Sequence, residues 1–347
     1  MFTRRKVHDF LGTSLPIIQA PMAGVQGSAL AVSVCNAGGL GSLPCAMLSP
    51  DPLRRQLVEV TSQTSQPYNV NFFCHVPPKP HPGRDAEWRK ILAPYYREFG
   101  IDAESIPPGP VRAPFSHEAA DVLSEFKPPV VSFHFGLPAP DLLARVQAWH
   151  PLVLSSATTV QEARWLESHG ADAIIAQGLE AGGHRGHFLS SDLSEQMGTF
   201  ALVPRVKRAV NIPVIAAGGI ADARGVAAAL ALGATAAQIG TAYLLCHEST
   251  TSPVHRAAIK SEAGEHTALT NLFSGGAARG IMNRLMRDLG PMSNLAPCFP
   301  LAAAALAPLR AIAESRGLGD FSPLWSGQNT NGCRDMPAAQ LTKELYG

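Results

Sequence analysis

A loop at residues 176–188, with the sequence AQGLEAGGHRGHF, places one histidine and one arginine among glycines directly after a short apolar run. Three glycines bracket this pair: Gly182, Gly183 and Gly186. Glycine loses much conformational freedom on folding, so a loop that holds several usually needs positive φ angles or close approach to a ligand. An imidazole can accept or donate a proton near neutral pH. We therefore predict that His184 is a catalytic residue.

Arg185 and two further histidines admit more than one interpretation. Arg185 is either a solvated loop residue or an anion-binding group. His187 forms an HxxH pair with His184, but no third ligand or HExxH pattern lies nearby in the sequence, so we expect no metal site. His134, in the run SFHFG, is expected to pack within its strand, and a place at the rim of the site is the alternative.

Two later loops have the chemistry of a phosphate-binding site. The residues concerned are Gly218 and Gly219 in one loop, and Gln238, Ile239, Gly240 and Thr241 in the other. Each loop follows a predicted strand and opens a helix, whose free N–H groups and dipole favour an anion. Because no P-loop lysine is present, we expect a bound monophosphate rather than a nucleoside triphosphate. Helix–strand packing by glycine alone is the alternative.

The remaining strand ends narrow the choice of cofactor. Asn71 and Gln177 carry amides that can donate and accept in one plane, as a flavin's pyrimidine edge or a polyol chain requires. Met22 and Ala23 follow the first predicted strand. No lysine ends a strand, which argues against Schiff-base and pyridoxal chemistry, and no acidic pair does, which argues against a glycosidase. With these chemistries excluded, flavin is the cofactor that these residues favour.

The elements that must position these residues alternate between strand and helix. Strand-like runs occur at residues 15–20, 40–44, 68–73, 130–135, 152–157, 172–177, 212–219 and 236–241. Helical patterns lie between them, so the strands should be parallel and close into a (β/α)8 TIM barrel. A doubly wound sheet is the alternative, but no GxGxxG follows the first strand.

The predicted domain organisation has three parts. Residues 1–247 form the barrel, with an expanded third crossover at 76–127 that is rich in proline. Residues 248–317 do not alternate and are predicted to be helices with turns, packed beside the mouth of the barrel. Residues 318–347 bring Phe321 and Trp325 back, and we expect this segment to dock on the barrel.

Composition excludes several classes of protein. The chain has 347 residues, 46% of them apolar and 16% charged, with a net charge of +1. These values argue against a nucleic-acid or membrane partner. The first residues lack the apolar core of a signal peptide, and no run is long enough to span a membrane. Six cysteines without CxxC spacing are expected to be reduced thiols of a cytoplasmic enzyme.

With these residues in view, the sequence resembles the nitronate monooxygenase family (2-nitropropane dioxygenases), and its class I in particular. The matching stretches follow the family's order through most of the chain. They are QAPMAG (19–24), LAVSVCNAGGLGS (30–42), YNVNFF (68–73), SFHFGLP (132–138), QGLEAGGHRGHF (177–188), TFALVP (199–204), IPVIAAGGIADARGVAAALALGA (212–234), QIGTAYL (238–244) and DFSPLWSGQ (320–328). Ala223 departs from the expected glycine.

This resemblance implies an FMN-binding barrel with a mainly helical second domain. Its implied FMN contacts are Asn71, Gln177, Gly182, Gly219 and Gln238 to Thr241, with Met22 and Ala23 near the isoalloxazine ring. His184 would be the catalytic histidine. The substrate pocket would draw on the second domain around Phe299.

The implied reaction is oxidation of an alkyl nitronate, with propionate 3-nitronate as one candidate, by O2 to a carbonyl compound and nitrite, through a flavin semiquinone. Neutral nitroalkanes are a further possible substrate. The alternative is an NAD(P)H-dependent FMN reductase of quinones or enoyl thioesters on the same barrel. A non-redox enzyme that binds a phosphate ligand is the third reading.

Overall fold

The strands of the barrel are confirmed. The computed structural model describes residues 10–79, 81–107 and 112–347. In chain order its strands are β1 (Ile17–Gln19), β2 (Gly41–Pro44), β3 (Tyr68–Phe73), β4 (Val130–His134), β5 (Leu152–Ala157), β6 (Ala173–Gln177), β7 (Gly183–His184), β8 (Val214–Ala217), β9 (Ala236–Ile239), β10 (Thr267–Thr270) and β11 (Ala278–Ile281).

Eight of these strands form one parallel sheet in the order β1-β9-β8-β6-β5-β4-β3-β2. A single bridge between Ile18 and Leu40 joins the two outer strands, so the sheet is a nearly closed barrel. The chain therefore has the (β/α)8 fold, and the doubly wound alternative is wrong. In such barrels the loops at the carboxyl ends of the strands carry the active site.

Helices cover the outside of the barrel and form most of the regular structure after residue 248. They are α1 (Ser28–Asn36), α2 (Pro50–Gln63), α3 (Pro82–Phe99), α4 (His117–Phe126), α5 (Pro140–Gln147), α6 (Val160–Ser168), α7 (Thr199–Ala209), α8 (Ala223–Ala231), α9 (Pro253–Lys260), α10 (Arg284–Leu289), α11 (Ala303–Ser315) and α12 (Ala338–Glu344). No described helix is long and apolar enough to cross a membrane.

The buried carboxylate of Glu162 joins α6 to the loop that contains His184. Thr159 caps α6, and Glu162 completes a capping box with it. The Thr158 amide donates to one carboxylate oxygen at 2.7 Å, and the Phe188 amide donates to the other at 2.7 Å. One side chain, 1% exposed, thus satisfies donors from the start of a helix and from the end of the histidine loop.

The segment at residues 248–317 contains strands as well as helices, which the sequence did not indicate. β10 and β11 pair as an antiparallel hairpin, and β11 also pairs with the two-residue strand β7. The turn between β10 and β11 needs glycine at Gly275, where φ is +89° and a Cβ atom would lie 2.1 Å from the Pro297 carbonyl oxygen. Short strands of four residues lack a clear alternating pattern, which is why the prediction contained only helices and turns.

The expanded third crossover packs on this later segment rather than on the barrel alone. Side chains of α3 and of residues 268–321 share one buried cluster, which includes Trp88, Tyr96, Leu309 and Phe321. Phe321 contacts α3 through ring contacts with Tyr95 and Phe99, with centroids 5.2 and 5.4 Å away.

The end of the chain also returns to the barrel. Ala338, Leu341 and Leu345 lie in the same buried cluster as the barrel strands. The boundaries at residues 247 and 317 stay a prediction.

We expect Glu162→Gln to lower the free energy of unfolding by about 1–3 kcal/mol, because an NH2 group would replace an oxygen that accepts from buried amides. Urea unfolding followed by far-UV circular dichroism measures this loss. Glu262→Gln is the matched control, since Glu262 is exposed. Equal stability of the two variants would contradict a structural role for Glu162.

Candidate active site

One cavity of about 290 Å³ opens at the carboxyl ends of the barrel strands and brings nearly all the predicted site residues together. Its lining includes His184 and the following predicted cofactor contacts: Met22, Ala23, Asn71, Gln177, Gly182, Gly183, Gly218, Gly219, Gln238, Gly240 and Thr241. Ile239 is the exception. Its side chain points outward to the helices that surround the barrel, where it shares a buried cluster with Leu30 and Val34 of α1, and it is 1% exposed, as the alternation along β9 requires.

The two predicted phosphate loops meet at one end of this cavity. Gly218 and Gly219 have φ angles of +119° and +73°, which favour glycine. Among the described residues, no acceptor bonds the amide groups of Gly218, Gly219, Gly240 or Thr241. The Thr241 hydroxyl oxygen accepts from the Gly327 amide at 2.9 Å and keeps its proton for another partner. Free N–H groups grouped in this way form an anion site.

The three predicted amide side chains differ in how the protein uses them. Asn71 donates to the Ser132 hydroxyl at 3.0 Å, and its oxygen has no partner among the described residues. The buried Oε1 atom of Gln238 also lacks a partner within the described chain. Gln177 is already bonded: its Nε2 donates to the His184 carbonyl at 2.9 Å, and its Oε1 accepts from the Gly186 amide at 2.8 Å. Asn71 and Gln238 therefore retain unused acceptors for a ligand.

His184 lies on strand β7 and is held at both its backbone and its ring. Its backbone pairs with Ala278 of β11. Its carbonyl oxygen accepts from Gln177 and from Nε2 of His134, the latter at 3.1 Å. Its ring nitrogen Nε2 lies 2.8 Å from the Ser274 hydroxyl. The histidine loop is thus tied to the segment after the barrel, not only to the barrel.

Burial lowers the pKa of His184 well below its ordinary value, and the positive charge of Arg112 lowers it further, with smaller effects from His134 and His75. The imidazole is therefore neutral near pH 7. His134 is also buried, which lowers its pKa to about 4. Since the His184 carbonyl can only accept, His134 carries its proton on Nε2, and its Nδ1 accepts from Ser156. Both interpretations of His134 thus hold in part: it packs in β4 and lines the cavity.

Four aromatic rings lie close to the His184 ring. The rings of Phe73, Phe135, Phe299 and Trp325 have centroids between 5.0 and 6.3 Å from the imidazole centroid. Phe135 has a φ of +67°, a strained conformation for a phenylalanine. The Phe135 ring lies edge-on to the His184 ring, with centroids 6.3 Å apart. The site can therefore hold an apolar group next to His184 with little water.

Arg185 fits neither sequence interpretation. Its side chain is fully buried, at 0% exposure, and donates to the carbonyls of Gln177 and Gly178 at 2.7 Å each and to Gln196 at 2.8 Å. It braces the histidine loop from inside instead of binding an anion or facing solvent. Burial lowers the pKa of Arg185 to about 10, so it stays charged at neutral pH.

Arg112 and Ser274 are among the residues near His184 that the sequence did not predict. Arg112 lines the cavity and comes from the irregular third crossover, where no strand end marks it. Ser274 belongs to the turn between β10 and β11, which was not predicted to be a hairpin. A Ser-Gly-Gly sequence at 274–276 was the available signal, because such turns often carry functional residues. The described residues contain no cluster of three or more metal-binding side chains, and His187 is not near a third ligand.

Comparisons with known proteins agree with these features. A family model described as "Nitronate monooxygenase" matches residues 4–347. A nitronate monooxygenase of Paraburkholderia phytofirmans is 42% identical over 348 residues, which cover 99% of this chain and 94% of that protein. One of Pseudomonas aeruginosa is 42% identical over 341 residues, covering 96% of each. A crystal structure of nitroalkane oxidase from Streptomyces ansochromogenes matches with a TM-score of 0.89 and 38% identity, over 98% of this chain and 96% of that one.

The buried histidines predict how stability depends on pH. Burial lowers the pKa of His134 and of His255 to about 4, from 6.5 in the unfolded chain. Below about pH 6.5 the unfolded chain therefore takes up protons that the folded protein does not, and stability falls as the pH falls. We expect the free energy of unfolding at about pH 4.5 to be more than about 1 kcal/mol below its value at about pH 7.

Urea unfolding across this pH range tests the expectation. His255→Gln should reduce the difference between the two pH values, and the exposed His266→Gln should leave it unchanged. A profile that is flat below about pH 6.5 would contradict the burial of neutral histidines.

Proposed function

The chain belongs to the nitronate monooxygenase family, a flavin-dependent family of oxidoreductases, and from this premise we propose that it uses FMN and O2 to convert alkyl nitronates to a carbonyl compound and nitrite. The observation that carries the proposal is a neutral, held histidine in the same cavity as a cluster of free backbone amides. A phosphate-bearing cofactor and a small anionic substrate would then meet next to His184.

FMN fits the residues of the cavity. Its phosphate would be held by the amides of Gly218, Gly219, Gly240 and Thr241, which have no other acceptor in the described chain. The Oε1 atom of Gln238 has no partner among the described residues and would accept a hydrogen bond from a donor group of the cofactor. When bound, FMN supplies the capacity to accept electrons from the substrate and to react with oxygen.

The protein would bind and orient the substrate with charge and apolar walls. A nitronate is an anion, and the Arg112 guanidinium lies in the cavity wall, where burial and the nearby charge of Arg310 lower its pKa and no described carboxylate raises it. Phe73, Phe135 and Phe299 would exclude water around the carbon atoms of the substrate. Electrostatic attraction strengthens where water is excluded, so these two features act together.

His184 would act differently on two kinds of substrate. A nitronate has already lost its α-proton, so a neutral imidazole only has to donate a hydrogen bond to it. A neutral nitroalkane must first lose that proton, and neutral His184 can accept it. The similar Streptomyces protein is described as a nitroalkane oxidase, so we include nitroalkanes as substrates to be tested.

We expect His184→Ala to keep FMN but to lose turnover by about 100-fold or more, the usual contribution of a positioned acid or base. The flavin absorption spectrum measures FMN content, and oxygen uptake with a nitronate and with a nitroalkane measures turnover. The exposed His169→Ala is the control. Full turnover of both substrates by His184→Ala would contradict a catalytic role for His184. Loss of nitroalkane turnover with full nitronate turnover would show that His184 acts only as a base. Rapid anaerobic bleaching of the flavin by NADH would favour the reductase instead.

Gly218→Ala should weaken FMN binding by at least about tenfold, because a side chain at this positive φ is strained by about 1–3 kcal/mol. Its Cβ atom would also lie 2.8 Å from the Thr199 hydroxyl oxygen. Fluorescence of FMN during titration of the apoprotein gives the dissociation constant. Gly100→Ala is the matched control, since Gly100 has a φ of +68° at the end of α3 and lies away from the cavity. Similar FMN affinity in both variants would show that the phosphate binds elsewhere.

A further inference from the structure

The Ser274 hydroxyl is the hydrogen-bond partner of the His184 ring. Ser274 is 3% exposed, and its Oγ lies 2.8 Å from Nε2 of His184. The other ring nitrogen, Nδ1, has no partner among the described residues, and it is not among the buried polar atoms that lack one. Nδ1 is therefore the nitrogen that remains accessible from the cavity.

Ser274 has a second set of contacts that allows its hydroxyl to turn. The Gly276 amide donates to Oγ at 3.4 Å, and the Gly276 carbonyl oxygen lies 3.4 Å from the same Oγ. The hydroxyl proton can thus point to His184 or to Gly276. A hydroxyl both donates and accepts, so it can bond Nε2 whether or not that nitrogen carries a proton.

We propose that Ser274 is the positioning residue that directs Nδ1 of His184 to the substrate and allows the ring to carry its proton on either nitrogen. With a nitronate, Nδ1–H donates to the substrate, and Ser274 donates to Nε2. With a neutral nitroalkane, Nε2–H donates to Ser274, and Nδ1 takes the α-proton. The C–H bond breaks, an N–H bond forms at Nδ1, and the electron pair stays on the substrate. The products are a nitronate anion and an imidazolium that lie side by side.

The surroundings of His184 explain why a serine suits this position. The charged or titratable groups that face the ring are Arg112 from the third crossover, His134 from β4 and His75 after β3, and each of them disfavours the imidazolium. A carboxylate at Ser274 would stabilise the charged ring and bind its proton at Nε2 permanently. A neutral hydroxyl orients the ring and leaves it neutral before the substrate reacts, as both steps require.

The segment that supplies Ser274 also holds the backbone of His184. Ser274 lies between β10 and β11, and β11 pairs with His184 through Ala278. The same hairpin therefore places the main chain and the side chain of this histidine. The position of Nδ1 depends on the hairpin as a unit and not on the glycine loop alone.

This proposal rests on the proposed function, so its test combines turnover with a measurement that needs no turnover. Ser274→Ala should lower turnover of a nitroalkane by about tenfold and that of its nitronate by no more than about threefold, because only the first reaction needs proton transfer. Ser274→Thr keeps the hydroxyl and should restore the wild-type ratio of the two rates. Ser124→Ala, a serine of α4 outside the cavity, is the control.

Nitrogen NMR of the imidazoles in the FMN-bound protein gives the second measurement, with the His184 signals identified by their absence in His184→Gln. Ser274→Ala should shift the Nε2 signal of His184 and change the pH at which the ring titrates. Unchanged NMR signals together with an unchanged rate ratio would overturn the proposal. If the wild type oxidises neither substrate, the proposed function fails, and the NMR comparison alone then decides whether Ser274 sets the state of the ring.

Discussion

The structure of the site depends on the pairing of β7 with β11, which fastens a barrel loop to the segment that follows the barrel. The Arg185 amide donates to the Ala277 carbonyl at 2.8 Å, and Arg279 donates to the Leu179 carbonyl at 2.8 Å. On the other side, a Cβ atom at Gly182 would lie 2.5 Å from the Gly327 amide nitrogen. The glycine-rich loop is therefore enclosed on both sides. Gly182 allows this close approach between backbones, Gly183 adopts a positive φ of +72°, and Gly186 leaves room for the His134 ring, so the glycines serve packing and backbone conformation.

Buried charge strengthens this enclosure and sets the electrostatics of the cavity. Arg185 donates hydrogen bonds to the carbonyls of Gln177 and Gly178 inside the loop. The Glu180 carboxylate accepts from the Thr199 amide, at the start of α7, at 2.8 Å. Two further arginines, Arg112 and Arg279, lie in low-dielectric surroundings that lower their pKa values but leave them charged. Burial lowers the pKa of His184 most, and the positive charge of Arg112 lowers it further, so the ring is neutral. The same positive charge favours an anion in the cavity.

The strands and helices of the barrel could be predicted because each strand–helix unit repeats the same local sequence pattern. The runs at 68–73 and 152–157 have the observed bounds of β3 and β5, and their alternation or β-branched content is unambiguous. Asn71 and Gln177 followed from the rule that strand ends meet at one face. Arg185, Arg112 and the hairpin at 267–281 did not follow, because partners distant in sequence decide their burial and pairing. A charged residue in a glycine-rich loop, such as Arg185, gives no local sign that it is 0% exposed.

The two sides of the cavity come from different parts of the chain, and this division has a consequence for specificity. The barrel loops after β8 and β9 supply the free amides, whereas the lining residues Trp325 and Arg112 come from outside the regular barrel elements. Phe299, whose ring lies beside that of His184, comes from outside them too. Changes in these outer segments can alter the space next to His184 without disturbing the glycine loops. Residues 248–325 and the third crossover should therefore determine which substrates fit, while the barrel loops should determine which cofactor binds. Ser274 and β11 belong to the same outer segment and hold His184. A sequence change in this segment that alters substrate preference can therefore also shift the His184 ring.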